Sequence, residues 1–129
     1  MEEITTTTAR IWLDEEGIIH YVSIGVASTA DTVTESMSVL SELSVGRPAP
    51  ILFDSRGWPS GDPASWVRFI NTIEAVCSAA AVVVDAESAP KMGSFPLLLD
   101  SLVIPFQIFS NEEEALAFLH GHLEGKSGR

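Results

Sequence analysis

The sequence predicts one α/β domain: an N-terminal β-hairpin, then strands and helices in alternation around a mixed, mostly parallel sheet. Three observations predict it. Two β-rich runs, Ala9 to Asp14 and Ile18 to Ile24, flank the turn residues Glu15-Glu16-Gly17, which is the pattern of a hairpin. After them, short apolar runs alternate with stretches whose apolar residues recur at helical spacing, as in chains whose strands pair in parallel through right-handed crossovers. Between these lies Pro50-Ile51-Leu52-Phe53-Asp54, a continuous apolar run closed by a carboxylate, suited to a central strand covered on both faces.

Each element has a local reason. Residues 1–8, with the threonine run Thr5 to Thr8, read as a flexible lead-in or the frayed start of a strand. Thr32 with Glu35, or Asp31 in competition, caps a helix whose inner face carries Val33, Met37, Leu40 and Leu43. Gly46 and Pro48 end it. After the central strand, Gly57, Pro59 and Gly61 make a loop. Asp62-Pro63 then supplies an N-cap and a proline at the first helical position. The second helix has a wide apolar stripe from Trp66 through Phe69, Ile70, Ile73 and Val76 to Cys77. Ala79 to Asp85 is the next buried strand. A third helical segment opens at Ser88-Ala89-Pro90 and runs to Leu99, weakened at Gly93 and broken or kinked at Pro96. Pro105 to Phe109 is the last strand. Ser110 with Glu113 caps a final helix that buries Ala115, Leu116, Phe118 and Leu119. The domain spans 9–123, and 124–129 form a tail.

Composition bounds the function. The 129 residues, 46% of them hydrophobic, suffice for one domain with its own core. A net charge of −11 repels a phosphate backbone, so nucleic acid is not an expected partner, and the same charge disfavours anionic membrane surfaces. No apolar run is long enough for membrane insertion. The single cysteine excludes an internal disulfide and suits a reducing compartment. An acidic start without a signal-peptide pattern points to a cytoplasmic location.

The hairpin Ile11-Trp12-Leu13-Asp14-Glu15-Glu16-Gly17-Ile18, the strand Pro50 to Asp54, a second aspartate before the second helix, and Pro105-Phe106-Gln107-Ile108-Phe109-Ser110 followed by Glu114-Ala115-Leu116-Ala117-Phe118-Leu119 together resemble the STAS fold. This is the fold of the SpoIIAA-like anti-sigma-factor antagonists, and the chain is most similar to a branch of small uncharacterised bacterial STAS-like proteins. The resemblance covers nearly all of the chain after Thr8. It implies a non-enzymatic regulatory module that works by contact with another protein. That family carries its phosphoacceptor serine in an Asp-Ser-Ser-Gly motif at the start of the second helix. Here the matched aspartate is Asp62, and the two serine positions fall on Pro63 and Ala64, so the matched phosphoacceptor is missing.

Ligands in open α/β sheets bind outside the carboxyl ends of the strands, so the loop from Asp54 to Asp62 is the first place to look. Ser60 and Ser65 are phosphoacceptor candidates because a phosphate suits a helix N-terminus; the simpler and preferred reading is a turn residue and a first-turn residue. Asp54 and Asp85 both end strands and invite a magnesium or acid–base reading with Lys91 nearby. The preferred reading is that Asp54 accepts from turn N–H groups or pairs with Arg56, and that Asp85 caps its own turn. Trp58 either anchors a partner or folds back over the sheet end. His120 and His122 are two residues apart, do not share a helix face and suit a helix end. With His20 on a strand, no third ligand is evident, so neither a metal nor a cofactor is expected. Cys77 reads as an inert buried thiol. The segment from Met92 to Ile104 is more apolar than one helix stripe needs. Phe95, Leu98, Leu99 and Leu102 are therefore candidates for a homodimer interface or an apolar groove. The alternative function is binding of an apolar small molecule or lipid in this region.

Overall fold

The computed structural model describes residues 3–44, 47–59, 61–93 and 95–127. Among these, six strands form one sheet in the order β1-β2-β3-β4-β5-β6: β1 Glu3–Thr5, β2 Ala9–Leu13, β3 Ile19–Ser23, β4 Ala49–Asp54, β5 Cys77–Val83 and β6 Phe106–Phe109. The first three pair antiparallel and the rest parallel. β4 therefore sits inside the sheet, flanked by β3 and β5, as its continuous apolar run requires.

The parallel steps all advance in the same direction across the sheet. Right-handed crossovers then place every connecting helix on one face. These are α1 Ala30–Ser44, α2 Pro63–Thr72 and the short α3 Phe95–Leu99, while α4 Glu112–Ser127 follows the last strand. The side chains divide accordingly. Ile51 and Phe53 of β4 and Ala80 and Val82 of β5 join Ile11, Ile19, Leu40, Ile73 and Met92 in one core. Leu52 of β4 and Ala79, Ala81 and Val83 of β5 point the other way, to Ala115 and Leu119 of α4. The period-2 alternation of strands thus serves two cores at once.

Several boundaries differ from the sequence reading, each for a physical reason. Of the two readings of the segment before Ala9, the strand holds in place of the flexible lead-in: it forms β1, paired with β2, and a turn. Thr6 Oγ1 accepts from Ala9 N at 3.1 Å, and the Glu35 carboxylate accepts from Thr7 N at 3.3 Å. Glu35 is therefore occupied away from the cap assigned to it. The reciprocal cap of α1 lies three residues earlier, where Thr32 N donates to Thr29 Oγ1 at 3.2 Å and Thr29 N donates to Thr32 Oγ1 at 2.8 Å. At α4 the cap is Asn111, whose Oδ1 accepts from Glu114 N at 2.9 Å, rather than Ser110. The stripe assigned to the second helix overruns it: α2 stops at Thr72, a 3-10 turn covers Ile73–Ala75, and Cys77 already opens β5. The third helical segment breaks at Gly93 and not at Pro96. Gly93 has φ of +55° after the 3-10 turn Pro90–Met92, whereas Pro96 is the second residue of α3, where its missing N–H costs nothing. α4 continues through residues 124–127, which the sequence reading gave to a tail.

Candidate functional site

The carboxyl ends of the parallel strands gather the charged groups. Asp54 closes β4, and its carboxylate accepts three bonds from one residue: Arg56 N at 3.2 Å, Nε at 2.9 Å and Nη2 at 2.7 Å. Both preferred readings of Asp54 hold, since it serves the turn and pairs with arginine. Glu112, at the start of α4, lies 3.6 Å from the same Nη2. Asp54, through its hydrogen bonds and its charge, raises the guanidinium above its ordinary range against a small desolvation effect, and Glu112 and Asp85 add to it. Arg56 remains exposed while held in this bidentate geometry. Asp85 is spent on its own turn. Its Oδ1 accepts from Ser88 N at 2.8 Å and Glu87 N at 3.1 Å, and Ser88 Oγ accepts from Asp85 N. The bonds from Ser88 hold its carboxyl below the usual carboxylate range. Lys91 is exposed on the 3-10 turn. Among the described residues, no group of three or more His, Cys, Asp or Glu side chains is placed to hold a metal ion.

Beside this charged cluster the loop folds back on the sheet. Asp62 is the N-cap of α2, accepting from Ser65 N at 2.7 Å, with Pro63 at the first helical position. Pro63 and Ala64 are exposed. Ser65 is buried, and its hydroxyl donates to Asp62 O at 2.7 Å. Ser60 lies outside the described residues. Trp58 is half-buried and packs against the core around Phe53, so it folds back over the sheet end. Its indole N–H donates to Ser28 Oγ at 3.2 Å. A parallel bridge between Ser28 and Gly61 draws the β3–α1 loop against the entry to α2.

Beneath Trp58 lies a cavity of about 100 Å³ between the sheet and α2, with Tyr21, Phe53, Trp66, Phe69 and Met92 among its walls. The Phe53 ring centroid is 5.3 Å from Tyr21 and 5.5 Å from Phe69, within the usual spacing of packed aromatic pairs. The polar residues Thr8, Ser23, Ser28, Asp54, Ser55 and Ser65 also line it. A wider open groove of about 670 Å³ lies at the opposite end of the sheet, among Leu13, Glu16, Arg47, Pro48 and Leu123.

The apolar surplus after residue 92 divides in two. Leu99 is buried, Leu98 and Leu102 are half-buried, and both Leu99 and Leu102 line the cavity. Leu97 at 73% and Val103 at 87% carry the exposed apolar surface instead. The side chain of Phe95 lies outside the described residues. The histidines are dispersed: His120 Nε2 meets Glu16 Oε1 at 2.6 Å, and His122 packs edge-on to Phe118. Cys77 is fully buried, and burial pushes its thiol up to about 12.

Sequence reasoning did not find two features. One is the Ser28–Trp58 contact. The other is a cluster on the outer face of the hairpin, where Trp12 stacks on His20 at 4.9 Å and His20 Nε2 meets Asp14 Oδ2 at 2.8 Å. Trp12 and His20 are register partners in adjacent strands, and their symmetric placement about the turn was the available signal.

Similarity to known proteins agrees with this architecture. The chain superposes on the crystal structure of an uncharacterised protein of the DUF3478 family with a SpoIIAA-like fold, from Shewanella loihica PV-4, with a TM-score of 0.64 and 13% identity, covering 92% of this chain and 98% of that one. At that identity the likeness is one of fold, and it establishes the SpoIIAA-like architecture expected from the sequence. No curated protein matches the chain. Among the described residues no helix is long and apolar enough to cross a membrane. The model of a domain of unknown function, DUF7793, matches residues 11–123, and the chain belongs to that family.

Proposed function

We propose that the protein is a non-enzymatic regulatory module that binds another protein through the loop at the carboxyl ends of its strands. The carrying observation is Arg56, bonded through Nε and Nη2 to Asp54 and 3.6 Å from Glu112 yet exposed. Arginine is enriched among the residues that dominate interfaces, and a guanidinium already paired in a fork geometry has less rotamer freedom to lose on binding. Exposed Asp62, Pro63 and Ala64 follow at the far end of the same loop and the start of α2. No serine-phosphate switch operates at the start of α2 in this reading, because Pro63 and Ala64 stand at the matched positions and Ser65 is buried. The module is also proposed to form a homodimer, with Leu97 and Val103 supplying the exposed apolar surface. The test is affinity capture from the native host with wild-type and Arg56→Ala protein, both verified as folded by circular dichroism. A protein retained by the wild type and lost from the variant supports the reading, and identical retention by both overturns it.

A second reading is favoured by the cavity. Met92, Leu99 and Leu102 of the apolar 92–104 region line it, as an apolar small-molecule or lipid-binding protein would need. Native mass spectrometry of freshly purified protein tests this through co-purifying mass.

A further inference from the structure

The cavity beneath Trp58 says more than that something apolar binds. Sites for drug-sized ligands occupy about 300–1,000 Å³, and an engineered apolar cavity of about 150 Å³ holds benzene. At about 100 Å³ the present cavity has no room for a long acyl chain, and it admits one ring only if a wall gives way. Most of its walls are fixed. Tyr21, Phe53 and Val82 stand on hydrogen-bonded strands in the middle of the sheet, and Phe69 stands on α2.

Trp58 is different, because a loop carries it. Its indole is tied to the β3–α1 loop by the bond to Ser28 Oγ, and its backbone N–H donates to Ser55 O at 3.1 Å. The preceding Gly57 has φ of +80° and open space around it, with nothing within 4 Å of an added Cβ. Glycine moves freely through that backbone region, so the chain can turn at Gly57 at little conformational cost.

We infer that the cavity is a binding site for a compact, uncharged, apolar molecule about one ring in size, with Trp58 as its lid and the Ser28 hydroxyl as the latch. The inference rests on the apolar-ligand reading and narrows it. Aromatic walls favour a ring through edge and face contacts. Those walls would also attract an organic cation, but Asp54, the only carboxylate among the described lining residues, is already paired with Arg56. An anion would face a chain of net charge −11 and, among the described lining residues, no lysine, arginine or histidine.

The full chain labelled with 5-fluorotryptophan provides the test. It has three tryptophans, and their fluorine signals are assigned by single Trp→Phe variants. Trp12 lies on the opposite sheet face from the cavity and serves as the internal control. Titration with toluene is expected to move the Trp58 and Trp66 signals saturably and leave Trp12 in place. Ser28→Ala is expected to speed exchange of bound toluene about fivefold, the effect of one lost neutral hydrogen bond. Ala80→Leu, which fills the cavity floor, is expected to weaken binding about tenfold or more. Decanoate and tetramethylammonium are expected not to compete.

The inference is overturned if toluene gives no saturable shift, if Trp12 moves with the others, or if a folded Ala80→Leu protein binds as the wild type does. Should Ala80→Leu not fold, the wild-type and Ser28→Ala titrations still decide the matter. Decanoate binding at Trp58 and Trp66 without toluene binding overturns the ring-sized ligand but leaves the broader apolar-ligand reading standing. Tetramethylammonium binding there overturns the uncharged class.

Discussion

Replacing Asp14 by alanine should unfasten the hairpin of β2 and β3. The carboxylate accepts from Glu16 N at 2.8 Å, Ile18 N at 3.0 Å and His20 Nε2 at 2.8 Å. One side chain therefore closes the turn and holds the imidazole that stacks on Trp12. Hydrogen bonds to a charged group contribute roughly 1.5–3 kcal/mol each. Water can reach two of the donors once the carboxylate is gone, so a total of about 3 kcal/mol is the reasonable expectation. For a chain of 129 residues this lowers the melting temperature by about 10 °C. The acid dependence gives a sharper check. Burial pushes the Asp14 carboxyl up, but the His20 bond, the Ile18 and Glu16 N–H groups and the His20 charge outweigh it and hold the group below its ordinary 3.8. A carboxyl with a depressed folded value stabilises fully above its unfolded value and loses that contribution as pH falls through the folded one. Thermal melts followed by circular dichroism should thus show the full gap between wild type and Asp14→Ala at neutral pH and a shrinking gap below about pH 4. A gap under about 2 °C at neutral pH, or one that stays constant into acid, would refute the reasoning.

Other outcomes follow from the same contacts. Cys77, pushed up to about 12 by burial, should not react with a thiol reagent at pH 8 until denaturant is added, and rapid native labelling would show that β5 opens. Ser65 should take no stoichiometric phosphate from a serine kinase acting on SpoIIAA-like antagonists, since its hydroxyl is buried and bonded to Asp62 O; clean modification there would contradict this. Sedimentation equilibrium at micromolar concentration should give a dimer for the wild type and a monomer for Val103→Glu, because Val103 is 87% exposed and a charge there is disfavoured only in an interface. A monomeric wild type would remove the homodimer from the proposal.

The fold was legible because its signals are local and agree with one another. An apolar run bounded by prolines gave β4, a turn triplet gave the hairpin, and Asp62-Pro63 gave the start of α2 to the residue. Boundaries failed where two local signals competed and a distant contact decided. Thr32 with Glu35 is a sound capping box in isolation, but Glu35 is drawn to Thr7 N, and Thr29 takes over the cap. The stripe from Trp66 to Cys77 keeps helical spacing to its end, yet Ala49 N pairs with Val76 O. The demands of the sheet therefore pull the last residues out of the helix. Gly93 and Pro96 were both sound breakers; the one that needed positive φ won, because proline is harmless in a first turn.

The candidate site was half legible for a related reason. The Asp54–Arg56 pair spans two residues, and sequence could name it. The direction of Trp58 depends on Ser28, thirty positions upstream, and no local pattern encodes that contact. The cavity had one signal that went unread. Ala79-Ala80-Ala81 is a run of small residues in the middle of β5, between Cys77-Ser78 and Val82-Val83, in a strand covered on both faces. Close packing requires either that a helix approach such residues closely or that space be left above them. The two faces of β5 take the two options. Ala79 and Ala81 lie under α4 with Ala115 and Leu119 packed onto them, whereas Ala80 faces Phe53, Phe69 and Met92 across the cavity. A valine at 80 would close much of that space and improve the core. Keeping alanine there forgoes stability of the order of 1 kcal/mol. Alanine at this position, in the middle of the sheet and in the same cavity lining as Trp58, is the sequence feature on which the proposed binding cavity rests.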